Sequence, residues 1–67
     1  MRFDLQTIAS WIAPESRVLD LGCGAGELLK FLQDHKGVVG TGIEIDAEKA
    51  SQGIISGVNI IHGDIHE

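Results

Sequence analysis

The sequence predicts an α/β protein that forms the first half of a doubly wound parallel sheet. Three apolar segments of strand length alternate with three segments of helical periodicity, in the order α-β-α-β-α-β. Each connection between strands is long enough to contain a helix, as parallel strands require. Right-handed crossovers then place the strands in the order 3-2-1. A glycine-rich turn follows the first strand, at the sheet edge where ligands bind in open α/β folds.

The first helix is predicted at residues 4–12 and the first strand at 18–21. Asp4 can cap this helix, and its apolar residues form one stripe that can pack against the sheet. The stripe consists of Leu5, Ile8, Ala9 and Ile12. The strand is apolar except for Asp20, a carboxylate near the end of a segment that we expect to be buried.

The second helix is predicted at residues 25–35, with three leucines on its inward face. These are Leu28, Leu29 and Leu32. Gly37 fits the left-handed conformation with which many helices end. The second strand is predicted at 38–45, and its glycines either weaken it or admit a close neighbour.

The third helix is predicted at residues 47–55, with Asp46 as its cap. Gly53 lies inside this helix and should cost about 1 kcal/mol relative to alanine, because glycine is a poor helix former. The third strand is predicted at 58–62.

Composition narrows the class of protein. A chain of 67 residues holds one domain at most, and a chain of this size buries only about 60% of its unfolded surface. We therefore expect residues 1–67 to be the N-terminal part of a single larger domain. The formal net charge of −5 argues against a nucleic-acid partner. One cysteine, no apolar run of membrane-spanning length and no signal-peptide pattern predict a cytoplasmic protein without membrane contact.

Acidic residues stand at the ends of all three predicted strands. They are Asp20, Glu44 and Asp64. Parallel strands bring these positions to one edge of the sheet, about 5 Å apart from strand to strand. Glu44 follows Asp20 by 24 residues, close to the offset at which an acidic residue binds a ribose diol in dinucleotide-binding folds. The pattern predicts an adenosine-containing ligand.

The glycine turn distinguishes between two kinds of adenosine compound. The dinucleotide fingerprint G-x-G-x-x-G fits Gly22 and Gly24, but its third glycine is replaced by Glu27. Asp20 and Glu27 would place two negative charges near a pyrophosphate, which needs positive potential at the helix N-terminus. A ligand with an ammonium and a sulfonium group would accept these charges. The turn therefore favours S-adenosylmethionine over a dinucleotide.

Residues 20–26 resemble motif I of the class I S-adenosylmethionine-dependent methyltransferases, and residues 44 and 63–65 are similar to the later acidic motifs of that superfamily. The resemblance covers residues 16–66 and implies a Rossmann-like fold. It also implies that Asp20 and the backbone of residues 22–24 hold the methionyl end and that Glu44 binds the ribose hydroxyls. The adenine would then lie beside Ile45, Asp64 and Ile65. The implied cofactor-binding residues are Asp20, Gly22, Cys23, Gly24, Glu44, Ile45, Asp64 and Ile65.

The whole chain is similar to the methionine biosynthesis protein W family of bacteria, most clearly over residues 16–24, 34–38 and 42–46. Membership implies a role in methionine synthesis beside homoserine O-acetyltransferase. The segment 53–56 departs from the family as a weaker third helix. It leaves the cofactor residues unchanged.

These features predict a methyltransferase-like domain that binds S-adenosylmethionine, with in-line attack of a substrate atom on the sulfonium methyl group. No catalytic residue is assigned, since substrate groups in such folds lie beyond the third strand, and the 67 residues alone should be inactive. Two alternatives remain. One is a non-catalytic S-adenosylmethionine sensor that contacts homoserine O-acetyltransferase, and the other is a dinucleotide-binding oxidoreductase half-domain.

A possible metal site and a possible reactive thiol were also considered. His62, Asp64 and His66 alternate along the chain, but three ligands on a terminal segment lack a fourth, so no metal site is predicted. Cys23 lies near a helix N-terminus, where thiols can be reactive. We interpret it as a small residue that fits beside the cofactor.

Overall fold

The computed structural model describes residues 4–64 as three parallel strands with helices between them. The strand order is β1-β2-β3, which confirms the predicted order 3-2-1 and the α/β class. Ile65 and His66, both considered above, lie outside the described residues. The elements are α1 (Leu5–Ser10), β1 (Arg17–Leu21), α2 (Glu27–Lys36), β2 (Val39–Glu44), α3 (Ala47–Ile55) and β3 (Ile60–His62).

Helix caps form where short-range sequence signals predict them. The Asp4 carboxylate accepts a hydrogen bond from the amide of Gln6 at 2.8 Å. The Asp46 carboxylate accepts hydrogen bonds from the first turn of α3, at 3.0 and 3.1 Å. Gly37 ends α2 with φ of 62°. These predictions are confirmed because each cap depends on contacts within a few residues.

Most predicted boundaries differ from the observed ones by one or two residues, and two of these differences have a clear cause. Helix α2 begins at Glu27 rather than at residue 25, because Gly26 has φ of 79° and keeps the preceding residue in the turn. Strand β3 begins at Ile60 rather than at 58, because the Val58 amide donates to the carbonyl of Gly53 and closes the end of α3. Both differences shorten an element at a turn whose geometry depends on its neighbours.

The core lies between the helices and one face of the sheet. Leu29 and Leu32 are fully buried, as predicted, whereas Leu28 is only partly buried. The glycines of β2 admit α2 closely, since a Cβ atom at Gly40 would lie 2.6 Å from the Leu29 Cδ2 atom. Of the two predictions for these glycines, a weakened strand or a close neighbour, the close neighbour is therefore confirmed.

The opposite face of the sheet is exposed in the described part of the chain. Its apolar side chains include Leu19, Leu21, Val39 and Ile61, each more than half exposed. The prediction of a buried first strand is thus wrong for this face. No helix within residues 4–64 is long and apolar enough to cross a membrane.

Gly53 has a packing role that its helix propensity hides. A Cβ atom at this position would overlap the Cδ1 atom of Ile60 and would lie 2.7 Å from the backbone oxygen of Ala25. The helix therefore needs a glycine here to approach both β3 and the glycine turn. The propensity cost of Gly53 stays a prediction, and the structure adds a packing role that this cost does not indicate.

We expect Gly53→Ala to lower the free energy of unfolding. The alanine gains about 1 kcal/mol of helix propensity, but overpacking against a backbone oxygen typically costs about 1–3 kcal/mol, so a net loss of about 1 kcal/mol is expected. Urea unfolding followed by circular dichroism measures it. Ser51→Ala, at an exposed position of the same helix, is the control and should not destabilise. A Gly53→Ala chain that is more stable than the parent would contradict this packing role.

Lys36 joins the ends of two helices. Its Nζ atom donates to the carbonyl of Ala9 at 2.6 Å and also to the carbonyl of Ile12. These carbonyls belong to the C-terminal turn of α1 and the segment after it, where positive charge is favourable. A side chain at the end of α2 thereby caps α1 and holds it in the helix layer.

We expect Lys36→Met to lower the free energy of unfolding by about 1–2 kcal/mol, because part-buried carbonyls lose a charged donor. Lys30→Met is the matched control. Lys30 forms an exposed pair with Asp34 at 3.2 Å, and such pairs contribute only about 0.3–0.5 kcal/mol. Denaturant midpoints of the two variants measure the difference. Equal losses would show that the carbonyl contacts of Lys36 add nothing to stability.

Candidate functional site

The candidate site lies at the carboxyl edge of the sheet, where the three acidic positions are staggered rather than level. Asp20 is opposite Gly42 in the register, whereas Glu44 is opposite His62. Glu44 therefore lies two residues, about 6–7 Å, farther along the strand direction than Asp20. Asp64 follows the last residue of β3 by two positions. The edge consequently presents a diagonal row of carboxyl groups.

The glycine turn between β1 and α2 bends over the end of β2. The amides of Gly22 and Cys23 both donate to the carbonyl of Ile43, at 2.8 and 3.2 Å. Gly22 and Gly24 have φ of 70° and 62°, and a Cβ atom at either would meet nothing within 4 Å. These two glycines provide left-handed backbone beside open space, which suits close approach of a ligand.

Gly26 has a different role from the other two glycines of the turn. A Cβ atom there would lie 3.0 Å from the Val58 Cγ1 atom and 3.2 Å from the Ile60 Cδ1 atom. Its missing side chain lets the turn pack against β3 and the segment before it. The third glycine is therefore required by the fold, whereas the first two face open space.

Glu44 is buried, and its carboxylate joins two loops. Its Oε1 atom accepts a hydrogen bond from the Gly24 amide at 2.6 Å, and its Oε2 atom accepts one from the Asp46 amide at 2.9 Å. The side chain is 8% exposed. The amides of Asp46 and Gly24 hold the pKa of Glu44 below its usual value of 4.5. The carboxylate is therefore ionised at neutral pH.

Asp20 has the opposite electrostatic setting. It is half-buried beneath the turn, and burial raises the pKa of its carboxyl group above the usual 3.8. A positively charged ligand group beside it would favour the ionised form. The two carboxyl groups thus differ in physical role, although the sequence pattern presented them as equivalent.

Cys23 has the features of a packing residue. Burial, together with the negative charges of Asp20 and Glu44, raises the pKa of its thiol above the usual 9.0. A Cβ atom on Gly42 would overlap its sulfur atom, which shows how tightly the thiol fills the space above β2. A protonated, packed thiol is a poor nucleophile.

Of the remaining predicted positions, Ile45 follows β2 and Asp64 follows β3, whereas Ile65 lies outside the described residues. Ile45 is 63% exposed and follows Glu44 directly, so its side chain is available for contact with a planar apolar group. The His62 Nε2 atom donates to the carbonyl of Ile45 at 2.9 Å and holds this loop against β3. Sequence reasoning missed this role of His62, because nothing in local spacing indicates a hydrogen bond across 17 residues.

A cleft of about 420 Å³ lies beside the turn, between α1, the start of α2 and α3. Leu5 and Leu28 contribute apolar wall, and Lys49 and Gln52 contribute polar groups from α3. No cluster of three or more His, Cys, Asp or Glu side chains suited to a metal is found within residues 4–64.

The family of this chain follows from its similarity to known proteins. The model of the family described as methionine biosynthesis protein MetW matches residues 2–67. The chain belongs to the MetW family. A sequence comparison with curated proteins gives no match.

Solved structures share the fold of this MetW-family chain. A SAM-dependent methyltransferase from Geobacter sulfurreducens, in complex with S-adenosyl-L-homocysteine, is 36% identical with a TM-score of 0.78, over 90% of this chain and 28% of that one. A SAM-dependent methyltransferase from Thiobacillus denitrificans in the same complex is 34% identical with a TM-score of 0.77, again over 90% and 28%. YjhP from E. coli is 30% identical with a TM-score of 0.77, over 90% and 29%.

These similarities establish the superfamily resemblance and the Rossmann-like fold. The chain spans less than a third of the length of each of these three structures. The similarity therefore concerns most of this chain but only a minor share of each of those proteins.

We expect Asp20→Asn to stabilise the fold at neutral pH and to weaken binding of a cationic ligand. A carboxyl group whose pKa is raised in the folded state favours folding at low pH, and this contribution is lost as pH rises through the folded-state pKa. The variant should therefore exceed the parent in unfolding midpoint at pH 7, and the difference should shrink towards pH 3.

Denaturant midpoints at the two pH values measure this effect. Asp34→Asn is the control, since it removes an exposed carboxylate that pairs with Lys30, and it should be neutral or slightly destabilising at pH 7. An Asp20→Asn chain that is less stable than the parent at pH 7 would contradict the assigned electrostatic role.

Proposed function

We propose that residues 1–67 are the N-terminal part of a single methyltransferase-like domain that binds S-adenosylmethionine and serves methionine biosynthesis in the cytoplasm. The carrying observation is Glu44, ionised and buried at the end of β2 directly beside the open glycine turn. The family description and the two S-adenosylhomocysteine complexes of similar fold support the proposal.

The residues present fit this cofactor. Gly22 and Gly24 leave the turn free of side chains, so backbone amides can approach the methionyl end. Asp20 is half-buried nearby and would accept the ammonium group, whose charge offsets the penalty of burying the carboxylate. Glu44 would accept hydrogen bonds from the ribose hydroxyls.

The adenine end would lie between the loops after β2 and β3. Ile45 presents an exposed aliphatic side chain next to Glu44, suited to packing on a purine ring. Asp64 would accept the exocyclic amine, with Ile65 beside the ring. Together with Cys23, which closes the floor of the turn, these residues make up the proposed binding set.

The cofactor, when bound, supplies a methyl group on a sulfonium. This chain contributes binding and orientation: Asp20 and the turn fix one end, and Glu44 fixes the ribose. Methyl transfer by in-line attack depends mainly on such positioning. We assign no general base among the described residues.

A pyrophosphate-containing dinucleotide fits less well. Glu27 is the first residue of α2 and is exposed at its N-terminus, and Glu44 is held ionised. Both charges would oppose a phosphate at this edge. We therefore propose S-adenosylmethionine rather than a nicotinamide cofactor.

The alternative within the same family is a non-catalytic S-adenosylmethionine-sensing partner of homoserine O-acetyltransferase. A pull-down with that enzyme, in the presence and absence of S-adenosylhomocysteine, separates the two roles. Ligand-dependent capture favours the sensor. Ligand binding without capture favours a methyltransferase.

Calorimetric titration of S-adenosylhomocysteine into the chain tests the proposed cofactor. We expect one site per chain, with affinity reduced about tenfold or more in Glu44→Gln, because charged hydrogen bonds to the ribose are lost. Glu48→Gln is the matched control, since it makes the same chemical change at an exposed position in the first turn of α3, and it should bind like the parent.

NADH in excess should not displace S-adenosylhomocysteine. A folded chain that binds NADH instead, or that binds neither compound, would contradict the proposal. Circular dichroism of each sample establishes that the chain is folded before titration.

A further inference from the structure

Glu44 makes contacts that ribose recognition alone does not require. Both of its carboxylate oxygens already hold backbone amides: Gly24 in the glycine turn, at 2.6 Å, and Asp46 in the loop before α3, at 2.9 Å. The two amides are 22 residues apart and belong to different loops. A single buried side chain thus connects the two backbone segments that border the candidate site.

We propose that Glu44 is a positioning residue that holds the glycine turn in its ligand-ready shape before any cofactor arrives. It would do so through the Gly24 amide and keep its remaining acceptor capacity for the ligand. This inference deepens the proposed function. The part of the inference that concerns ligand binding rests on the proposed function, whereas the part that concerns the shape of the turn does not.

The turn needs such a restraint because side-chain packing at Gly22 and Gly24 provides little. Gly22 and Gly24 both have left-handed backbone, and no atom lies within 4 Å of where their Cβ atoms would be. The amides of Gly22 and Cys23 donate to the carbonyl of Ile43, but the next amide, that of Gly24, does not. The Gly24 amide has Glu44 as its hydrogen-bond acceptor.

The acceptor capacity of Glu44 matches both tasks. A carboxylate offers about four lone-pair sites. Two are used by Gly24 and Asp46, which leaves two, the number that a vicinal diol requires. One side chain can therefore hold the turn and bind ribose without exchanging partners.

The charges around Glu44 favour its ionised form. The Asp46 and Gly24 amides lower the pKa of Glu44 most, burial raises it, Lys49 on α3 lowers it, and the charge of Asp46 raises it. Cys23 in the glycine turn adds no charge beside Glu44, because the pKa of its thiol is raised. From β3, His62 is opposite Glu44 in the register, and its Nε2 atom is engaged with the carbonyl of Ile45.

Glutamine cannot replace this carboxylate. Its single carbonyl oxygen can accept from one of the two amides, and its NH₂ group must then face the other, donor against donor. Glu44→Gln should therefore free either Gly24 or Asp46, although its size and shape are nearly unchanged. Glu48→Gln again supplies the matched control, with the same substitution away from the turn.

Nuclear magnetic resonance of the ligand-free chain tests the part that concerns the shape of the turn. The carboxyl carbon of Glu44 and the amide of Gly24 are followed from pH 7 to pH 2.5. We expect the Gly24 amide proton to lie downfield at pH 7 and to shift with the same midpoint as Glu44, below 4.5, because protonation weakens the bond. The carboxyl carbons of Asp20 and Asp46 are recorded in parallel to exclude either as the source.

In Glu44→Gln the downfield position of the Gly24 amide should be lost and its exchange with solvent should become faster, while Glu48→Gln should match the parent. A Gly24 amide that titrates with another carboxyl group, or whose resonance and exchange are unchanged in Glu44→Gln, would overturn the proposal. These readouts need no ligand, so they stand even if S-adenosylhomocysteine fails to bind.

The test of ligand binding uses the 2′,3′-dideoxy analogue of S-adenosylhomocysteine, which has no ribose diol. If Glu44 also shapes the turn, Glu44→Gln should weaken binding of this analogue by about fivefold or more, since a hydrogen bond to a charged group is lost from the turn. If Glu44 acts on the ribose alone, parent and variant should bind the analogue equally, and that result would overturn the positioning role.

Discussion

The close approach of the helix layer to the sheet is the constraint on which the rest of the structure depends. Helix α2 packs on β2 where Gly40 has no side chain, and α3 reaches Ile60 and the turn where Gly53 has none. These contacts set the depth at which the glycine turn lies over the sheet. At that depth the Glu44 carboxylate accepts a hydrogen bond from the Gly24 amide at 2.6 Å.

The site contains two carboxyl groups that the fold treats in opposite ways. Glu44 is buried but receives backbone amides, so its charge is stabilised within the protein. Asp20 is half-buried, and burial alone shifts its pKa upwards. One group is thus an internal structural anion, and the other gains from a positive partner. This division suits a ligand that presents hydroxyl groups at one end and a cation at the other.

The described chain forms a one-sided layer. Its helices cover one face of the sheet, while Leu19, Val39 and Ile61 are more than half exposed on the other. The chain covers 28% of each of the two methyltransferases that carry S-adenosylhomocysteine. The site described here contains the positions proposed for the cofactor except Ile65, which lies outside residues 4–64.

The sequence by itself determined the α/β class, the order of elements, the parallel strands and the caps at Asp4, Gly37 and Asp46. These features depend on periodicity, connection length and contacts within a few residues, which are all visible along the chain. The sequence also indicated the carboxyl edge as the candidate site, because the carboxyl ends of parallel strands lie at the same edge of the sheet.

The tertiary structure decided the contacts between residues that are distant in the sequence. It assigned Gly53 and Gly26 to close packing, staggered Asp20 against Glu44, and gave Lys36 and His62 carbonyl partners 17 to 27 residues away. Above all, it placed the Glu44 carboxylate between two loops rather than free at a strand end. Such roles follow from packing depth and register, which local sequence signals do not encode.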